Sequence, residues 1–393
     1  MMTTSFPRYI NDSPGKIIYD LSRLLTKNGI KIGVIAPHAR GLKKHEYMDD
    51  IEVFRFKYMP DEKSEKIAYS AGIMHNMRSF ATLIQIPFFM AAFVLKAFKI
   101  HSGYDIFHAH WVPSAIPALL LKLVYKKPVV LTVRGSDIRN IHNFFLAELA
   151  VGYILRKVDL VISIAPELTA LLKKYEGIKL IEIHNPLDET KYSPTVNLHN
   201  FRQEFGLKKE KIISFIGRLV DFKDPLIVVK AADEVLKKYP DIKFFFVGGG
   251  DLKKNIETTA EKLGIRDKIV ITGWRRDIDI IAAASDIFLA VSQIENIWSN
   301  SLLQAMASET ACIVTDAGLT KKKLEHKKDA YIIPAGDKYA LADAIVLLLE
   351  DSRLRDKIAK NGRIFLKENA FFQGAVIPLI LAQYRRIWGK YRK

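Results

Sequence analysis

The chain has 393 residues, 49% of them hydrophobic, and 60 Lys and Arg against 43 Asp and Glu, a formal charge of +17. That length exceeds one comfortable hydrophobic core, so two domains are expected. The single cysteine, Cys312, excludes an internal disulfide framework, fits a reducing compartment, and lies in an apolar run that reads as packed core.

The start of the chain lacks a basic region followed by an apolar core, so a secretory signal is not expected. A very short first strand leads into a loop ending at Gly15, and residues 16–27 have a helical pattern. Residues 30–36, 106–109, 129–133, 160–164 and 180–183 are short apolar β-branched runs, the pattern of parallel strands covered on both faces. Helical stretches at 115–125, 144–155 and 168–175 lie between them. Residues 80–98 are apolar nearly all round. Thr82, Gln85, Pro87 and Lys96 interrupt them, so they fall short of the roughly 20 clean apolar residues of a membrane span. They read as a buried helix. The alternative is an interfacial helix whose neighbours Lys43, Lys44, Lys96 and Lys99 meet anionic headgroups.

Residues 185–200, with Pro186 and Pro194, have linker composition. The alternation then restarts, with strands at 211–217, 243–248, 268–272, 287–291, 311–315 and 330–334 and helices at 225–239, 251–263, 277–283, 301–307 and 340–349. Two βα arrays in tandem predict an α/β chain of two doubly wound, Rossmann-like domains, 1–195 and 196–372. The amphipathic segment 373–393 is expected to pack back on the first.

Several strand ends carry chemistry. Gly217 turns the chain off a strand, and Arg218 and Lys223 then share one short loop before a helix beginning near Pro225. Two cations at such an edge form a diphosphate clamp or, on the plainer reading, an ordinary solvated loop. Gly248, Gly249 and Gly250 follow another strand, where glycine admits close backbone approach to a nucleotide or simply a tight turn. Gly273, Trp274 and Arg275 follow a third, at a place for a base-binding loop, although a buried Trp is the commoner role. Glu295 and Asn296 then precede an apolar helix that Asn300 or Ser301 could cap, its free N–H groups aimed at an anion, with Gln304 one turn in.

These motifs together resemble the retaining glycosyltransferases of family GT4, which have the GT-B fold of two Rossmann-like domains facing a cleft. Gly217-Arg218-Leu219 with Lys223 is similar to that family's G-R-L-x-x-x-K-G loop, and Glu295 through Ala307 to its E-G-x-x-N-x-L-L-E-A-M-A stretch. Asn185-Pro186-Leu187-Asp188 through Tyr192-Ser193-Pro194 is similar to its junction segment. His108-Ala109-His110-Trp111, Gly135-Ser136-Asp137 and residues 4–14 with Gly15 are similar to its first half. The resemblance implies that Arg218 and Lys223 bind a donor diphosphate, that backbone N–H groups at Asn300, Ser301 and Leu302 hold phosphate oxygens, and that His110 and the Gly15 loop face the acceptor. Three departures stand out. Gln304 occupies the place of the ribose-binding acid. Glu295 lies nine residues before it where the family has eight, so Glu295 on a bulge or Asn296 takes the place of the first acid. Arg134 replaces a histidine that normally contacts the donor sugar.

His108 and His110 read as pointing to opposite faces of one strand, so one is expected to be structural, and His110, nearer the strand's carboxyl end, is the functional candidate. Asp and His residues do not form close clusters, and no Asp-x-Asp pair of the kind that holds a divalent ion in metal-dependent glycosyltransferases is evident, so no cofactor and no metal are expected beyond the nucleotide-diphosphate sugar as co-substrate. The expected reaction is retaining transfer of a sugar to an acceptor hydroxyl on a glycan, lipid or small molecule. It would take place in the cytoplasm, with peripheral contact at the membrane face. Two alternatives are a catalytically silent sugar-nucleotide or partner-binding protein, and a basic membrane-surface or nucleic-acid binder. The scattered charge makes nucleic acid the less expected partner. Oligomeric state is left open.

Overall fold

The computed structural model describes all residues except 11, 13, 70–79, 136, 137, 139–144, 294–297, 319–321 and 393, and the side chains of Phe80, Ala81 and Phe145. The chain forms two compact units, Met1–Pro186 with Gly374–Lys393, and Leu187–Gln373.

In the first unit the apolar runs become β1 (Met2–Thr3), β2 (Gly33–Pro37), β3 (His45–Met48), β4 (Ile51–Phe56), β5 (Phe107–His110), β6 (Val129–Val133), β7 (Leu160–Ser163) and β8 (Leu180–Glu182). They stand in the order β3-β4-β2-β1-β5-β6-β7-β8. Every pairing is parallel except the β3–β4 hairpin, which the sequence reading did not anticipate. Its polar member Arg55 is fully buried, with Nε on Glu46 (2.7 Å), Nη1 donating to Tyr69 Oη (3.0 Å) and Nη2 to the Pro7 carbonyl (2.6 Å). A buried guanidinium satisfied in this way is tolerated where an unpaired one would not be.

Helix α1 (Lys16–Lys27) buries Ile18, Leu21 and Leu25 against Val34, Ala36 and Val53. Helices α2 (Ile86–Ile100), α3 (Ala115–Tyr125) and α4 (Phe145–Lys157) lie side by side. Helix α2 corrects the buried-helix reading of residues 80–98. Only Phe89, Phe93 and Ala97 are buried, and Phe56 stacks on Phe93 with ring centroids 4.5 Å apart. The opposite stripe stays apolar yet open, with Phe88 57% and Leu95 71% exposed. Among the described residues, Ile86–Gly103 is long and apolar enough by composition to cross a membrane, but it lies here along the sheet.

The second unit has β9 (Lys211–Ile216), β10 (Ile242–Val247), β11 (Ile269–Gly273), β12 (Ile287–Ala290), β13 (Ala311–Thr315) and β14 (Tyr331–Ile333), all parallel, in the order β11-β10-β9-β12-β13-β14. This is the doubly wound order whose direction of winding reverses between its first and fourth strands, here β9 and β12. Helix α5 (Pro225–Leu236) packs Ile227 and Val228 onto Phe244, Phe246 and Ile313, and α6 (Asn300–Ala307) follows β12. Cys312 is fully buried in β13, and burial pushes its thiol pKa up, as a packed core residue requires.

Helix α7 (Gln373–Tyr391) turns Val376, Ile377, Ile380, Tyr384 and Ile387 into the core of the first unit. The unit boundary falls at Pro186, nine residues earlier than the expected 195. The shift has a local cause. Leu187 N–H donates to the Phe371 carbonyl (3.0 Å) and Gln373 N–H to the Leu187 carbonyl (2.8 Å), stitching the junction segment to the end of the second unit.

Candidate functional site

The residues singled out in the second unit gather at the carboxyl edge of its sheet. Off β9, Gly217 N–H donates to the Val247 carbonyl (2.9 Å), and the chain then presents Arg218, exposed, and Lys223, half-buried, on one turn. Phe222 lies between the two cations. The Arg218 guanidinium sits 5.3 Å and the Lys223 ammonium 5.8 Å from its ring centroid, a distance at which the ring quadrupole attracts a cation. The Phe222 carbonyl accepts from Gln293 N–H (3.0 Å). The loop from β9 is thereby tied to the segment leaving β12, across the crevice at the winding reversal. Phe222 is a fixed residue of none of the sequence motifs; its place between Arg218 and Lys223 is the signal that marks it.

The three glycines after β10 serve packing. Leu219 N–H donates to the Gly249 carbonyl (3.0 Å), and Gly248 N–H to Gly273 (2.8 Å). Gly248 has φ 140°, and a Cβ there would lie 2.0 Å from the Gly217 carbonyl oxygen, so only glycine lets the two loops touch. A Cβ on Gly249 would meet the Trp274 indole nitrogen at 2.9 Å, so that ring lies against the glycine. Trp274 is 69% exposed, which sets aside the buried-Trp reading and leaves an open aromatic face at the strand end. Arg275 is corrected. Its guanidinium spans Glu204 and Asp277, with Nη2 2.8 Å from Glu204 Oε2 and Nε 2.9 Å from Asp277 Oδ1. Its pKa is raised, chiefly by the Glu204 hydrogen bond. A fork committed to two carboxylates is structural, and a ligand contact is no longer assigned to it.

Helix α6 starts in the open. Asn300 is exposed, Ser301 half-buried and Leu302 buried. Ser299 precedes the helix without a capping side-chain bond, its hydroxyl instead 3.0 Å from that of Ser301. The first backbone N–H groups are thus uncapped by a described side chain and carry the positive end of the helix dipole. Trp298 anchors this start by packing edge-on to Phe365 and Phe371. Glu295 and Asn296 lie outside the described residues. Gln304, one turn in, donates from Nε2 to Tyr192 Oη (2.8 Å), and the Tyr192 carbonyl accepts from Arg363 (3.0 Å). In sequence Tyr192 is only part of the junction motif; the structure makes it the partner of Gln304.

In the first unit the winding reverses between β1 and β5, and His110 pairs with Thr3 there. Gly15, at φ 69° and the start of α1, lies against the loop after β1, where a Cβ would stand 2.4 Å from the Ser5 carbonyl oxygen. The opposite-face assignment of the histidines is corrected. Residues two apart on a strand share a face, and the rings of His108 and His110 lie 4.3 Å apart. His108 is held by Tyr384 Oη (2.5 Å) and Thr132 Oγ1 (2.7 Å), a structural role. His110 is also fully buried, so it does not itself reach a surface. Arg134 Nη2 donates to its Nδ1 (3.3 Å), and Nη1 donates to Asn185 Oδ1 (2.9 Å). The guanidinium lies 5.7 Å from the ring centroid of Trp111, a residue at φ 65°. Burial, then the neighbouring charges, lowers both imidazole pKa values well below 6.5. A neutral imidazole accepting from Arg134 is the form this geometry needs. Asp137 lies outside the described residues. Among the described residues no three His, Cys, Asp or Glu side chains converge as a metal site would require.

Residues 15–191 match the family described as Glycosyltransferase Family 4, and residues 199–365 that described as Glycosyl transferases group 1. The chain is 26% identical over 317 residues to the N-acetyl-alpha-D-glucosaminyl L-malate synthase of Bacillus anthracis, covering 78% of this chain and 81% of that one. It is similar in structure to the sucrose-phosphate synthase of Thermosynechococcus elongatus (TM-score 0.76, 19% identity, 96% and 94% of the two chains). It is also similar to HepE of Anabaena, solved in complex with UDP-glucose (TM-score 0.71, 17% identity, 98% and 100%). These structural likenesses give the fold, GT-B.

Proposed function

The chain belongs to the glycosyltransferases of group 1 and family 4 and is a sugar-nucleotide-dependent transferase, and from that premise we propose how its own residues carry the reaction. The second unit binds the donor. Arg218 and Lys223 clamp the diphosphate, the N–H groups at Asn300, Ser301 and Leu302 hold phosphate oxygens, and Trp274 offers the nucleobase a face over Gly249. Gln304 and Tyr192 meet the ribose hydroxyls as neutral hydrogen-bonding groups. Glu295, or Asn296 in its place, meets the donor sugar. The first unit takes the acceptor near the Gly15 loop and Arg134, which His110 positions.

As the glycosidic bond breaks, the leaving diphosphate gains negative charge. Two fixed cations and a helix N-terminus stabilise it without a divalent ion or other cofactor. The acceptor oxygen bonds to the anomeric carbon on the face the diphosphate leaves, and the leaving phosphate takes its proton, so configuration is retained. We place the enzyme in the cytoplasm, peripheral at a membrane face, with a glycan, lipid-linked or small-molecule hydroxyl as acceptor. The observation that carries the donor assignment is the pair Arg218 and Lys223 around Phe222, tied to the β12 segment at the winding reversal.

The test follows nucleoside diphosphate release from a panel of nucleotide sugars, with and without EDTA, and reads the product anomer by proton NMR. Turnover is expected to persist in EDTA and the donor configuration to survive. A complete loss restored by Mg²⁺ or Mn²⁺ overturns the metal-free clamp, and an inverted product overturns retention.

A further inference from the structure

Three neighbouring helices of the first unit turn apolar stripes outward. On α2 these include Phe88 (57% exposed) and Leu95 (71%), on α3 Leu120 (40%) and Leu123 (68%), and on α4 Leu146 (78%) and Tyr153 (60%). Helices ordinarily give water a polar side, whereas α2 and α3 are apolar on their buried and outward faces alike. A groove of about 590 Å³ runs between α3 and α4, lined by Leu119, Leu123 and Ile154 among others.

Charge around this face is one-sided. Helices α2 and α3 contain no Asp or Glu at all, while Lys96, Lys99, Lys122, Lys126, Arg156 and Lys157 stand on or beside the three helices. Glu148 on α4 is already paired with Lys174. Lys122 is tied to Asp159 (2.8 Å), whereas Lys99, Lys126 and Lys157 are exposed at the ends of the helices. Apolar stripes bordered by lysine match a surface that is apolar inside and anionic at its rim.

We propose that the outer face of α2, α3 and α4 docks on an anionic phospholipid bilayer, with the groove between α3 and α4 receiving an acyl chain. The inference deepens the membrane-face placement proposed above, and it moves the contact from one helix to a three-helix surface. Phe88, Leu95, Leu123 and Tyr153 enter the headgroup–acyl boundary, and the lysines meet phosphate. The sheet lies beneath these helices, so docking demands no unfolding of the core.

The test is co-sedimentation of the full chain with vesicles of phosphatidylcholine, alone or with phosphatidylglycerol. Binding is expected only to the mixed vesicles, and it should weaken at high salt because the lysine contribution is screened. The pair L123S/Y153S should lower it at least tenfold, and so should K99Q/K157Q, at about fivefold for each lysine. All four residues are exposed, so the melting temperature should hold. UDP, GDP and ADP binding measured on the same samples separates this claim from the transferase reading. Intact nucleotide binding with no vesicle binding overturns the docking surface and leaves the donor site standing. Equal vesicle binding by wild type and both variants overturns it as well. So does a wild-type dimer that L123S/Y153S dissociates without any vesicle binding, since a second copy then covers the face.

Discussion

Arg134 and His110 show how a substitution that looks conservative in charge depends on its surroundings. The guanidinium is nearly buried, and its hydrogen bond to Nδ1 requires an imidazole without a proton there. His108 beside it is neutral for the same first reason, burial. Two buried neutral histidines make a stability prediction with a definite sign. Above pH 6.5 neither folded nor unfolded chain holds these protons, and their contribution is fully present. Below 6.5 the unfolded chain protonates more readily than the folded one, so stability falls with pH, by at most about 1.4 kcal/mol per unit for each histidine. The loss of stability read by urea unfolding between pH 6.5 and 5.5 should therefore be smaller in H108N/H110N, by up to about 2 kcal/mol. Identical slopes would mean that one or both imidazoles titrate normally in the folded chain.

Among the elements, the glycine loop after β10 carries the sharpest steric demand. Its left-handed Gly248 sits against the Gly217 carbonyl, which fixes where the Arg218 loop leaves the sheet. Gly248→Ala should cost about 2–4 kcal/mol through backbone strain and overlap, and it should weaken nucleotide binding through a displaced Arg218. An unchanged melting curve would show that the loops separate without cost. The parallel strands and their helices were legible in the sequence because strands covered on both faces are continuous apolar runs. The β3–β4 hairpin was not, because Arg55 reads as polar until Glu46, Tyr69 and the Pro7 carbonyl are seen around it. For the outward face of α2 the sequence left two readings open, buried and interfacial, for the converse reason. An apolar residue looks the same in sequence whether it faces a core or water.

At the scale of the molecule, the two βα arrays, the loop carrying Arg218 and Lys223 and the open helix start were legible, since each is written in local order: a glycine turn, a cation spacing, an apolar helix behind small polar residues. Pairings made through space stayed out of reach. Gln304 and Tyr192 lie 112 residues apart, Arg275 is claimed by Glu204, 71 residues away, and Tyr384 returns on α7 to hold His108. The unit boundary moved for the same reason, because Leu187 bonds to a strand-like segment at Phe371. In the function proposed above, the second unit holds a nucleoside diphosphate by Arg218 and Lys223. Calorimetric titration of UDP, GDP and ADP into the wild-type chain, R218A and K223A tests it most directly. A charge-assisted hydrogen bond contributes about 1.5–3 kcal/mol, so each variant should bind the preferred nucleotide at least tenfold more weakly while unfolding at the wild-type temperature. Wild-type affinity in both variants would contradict the claim.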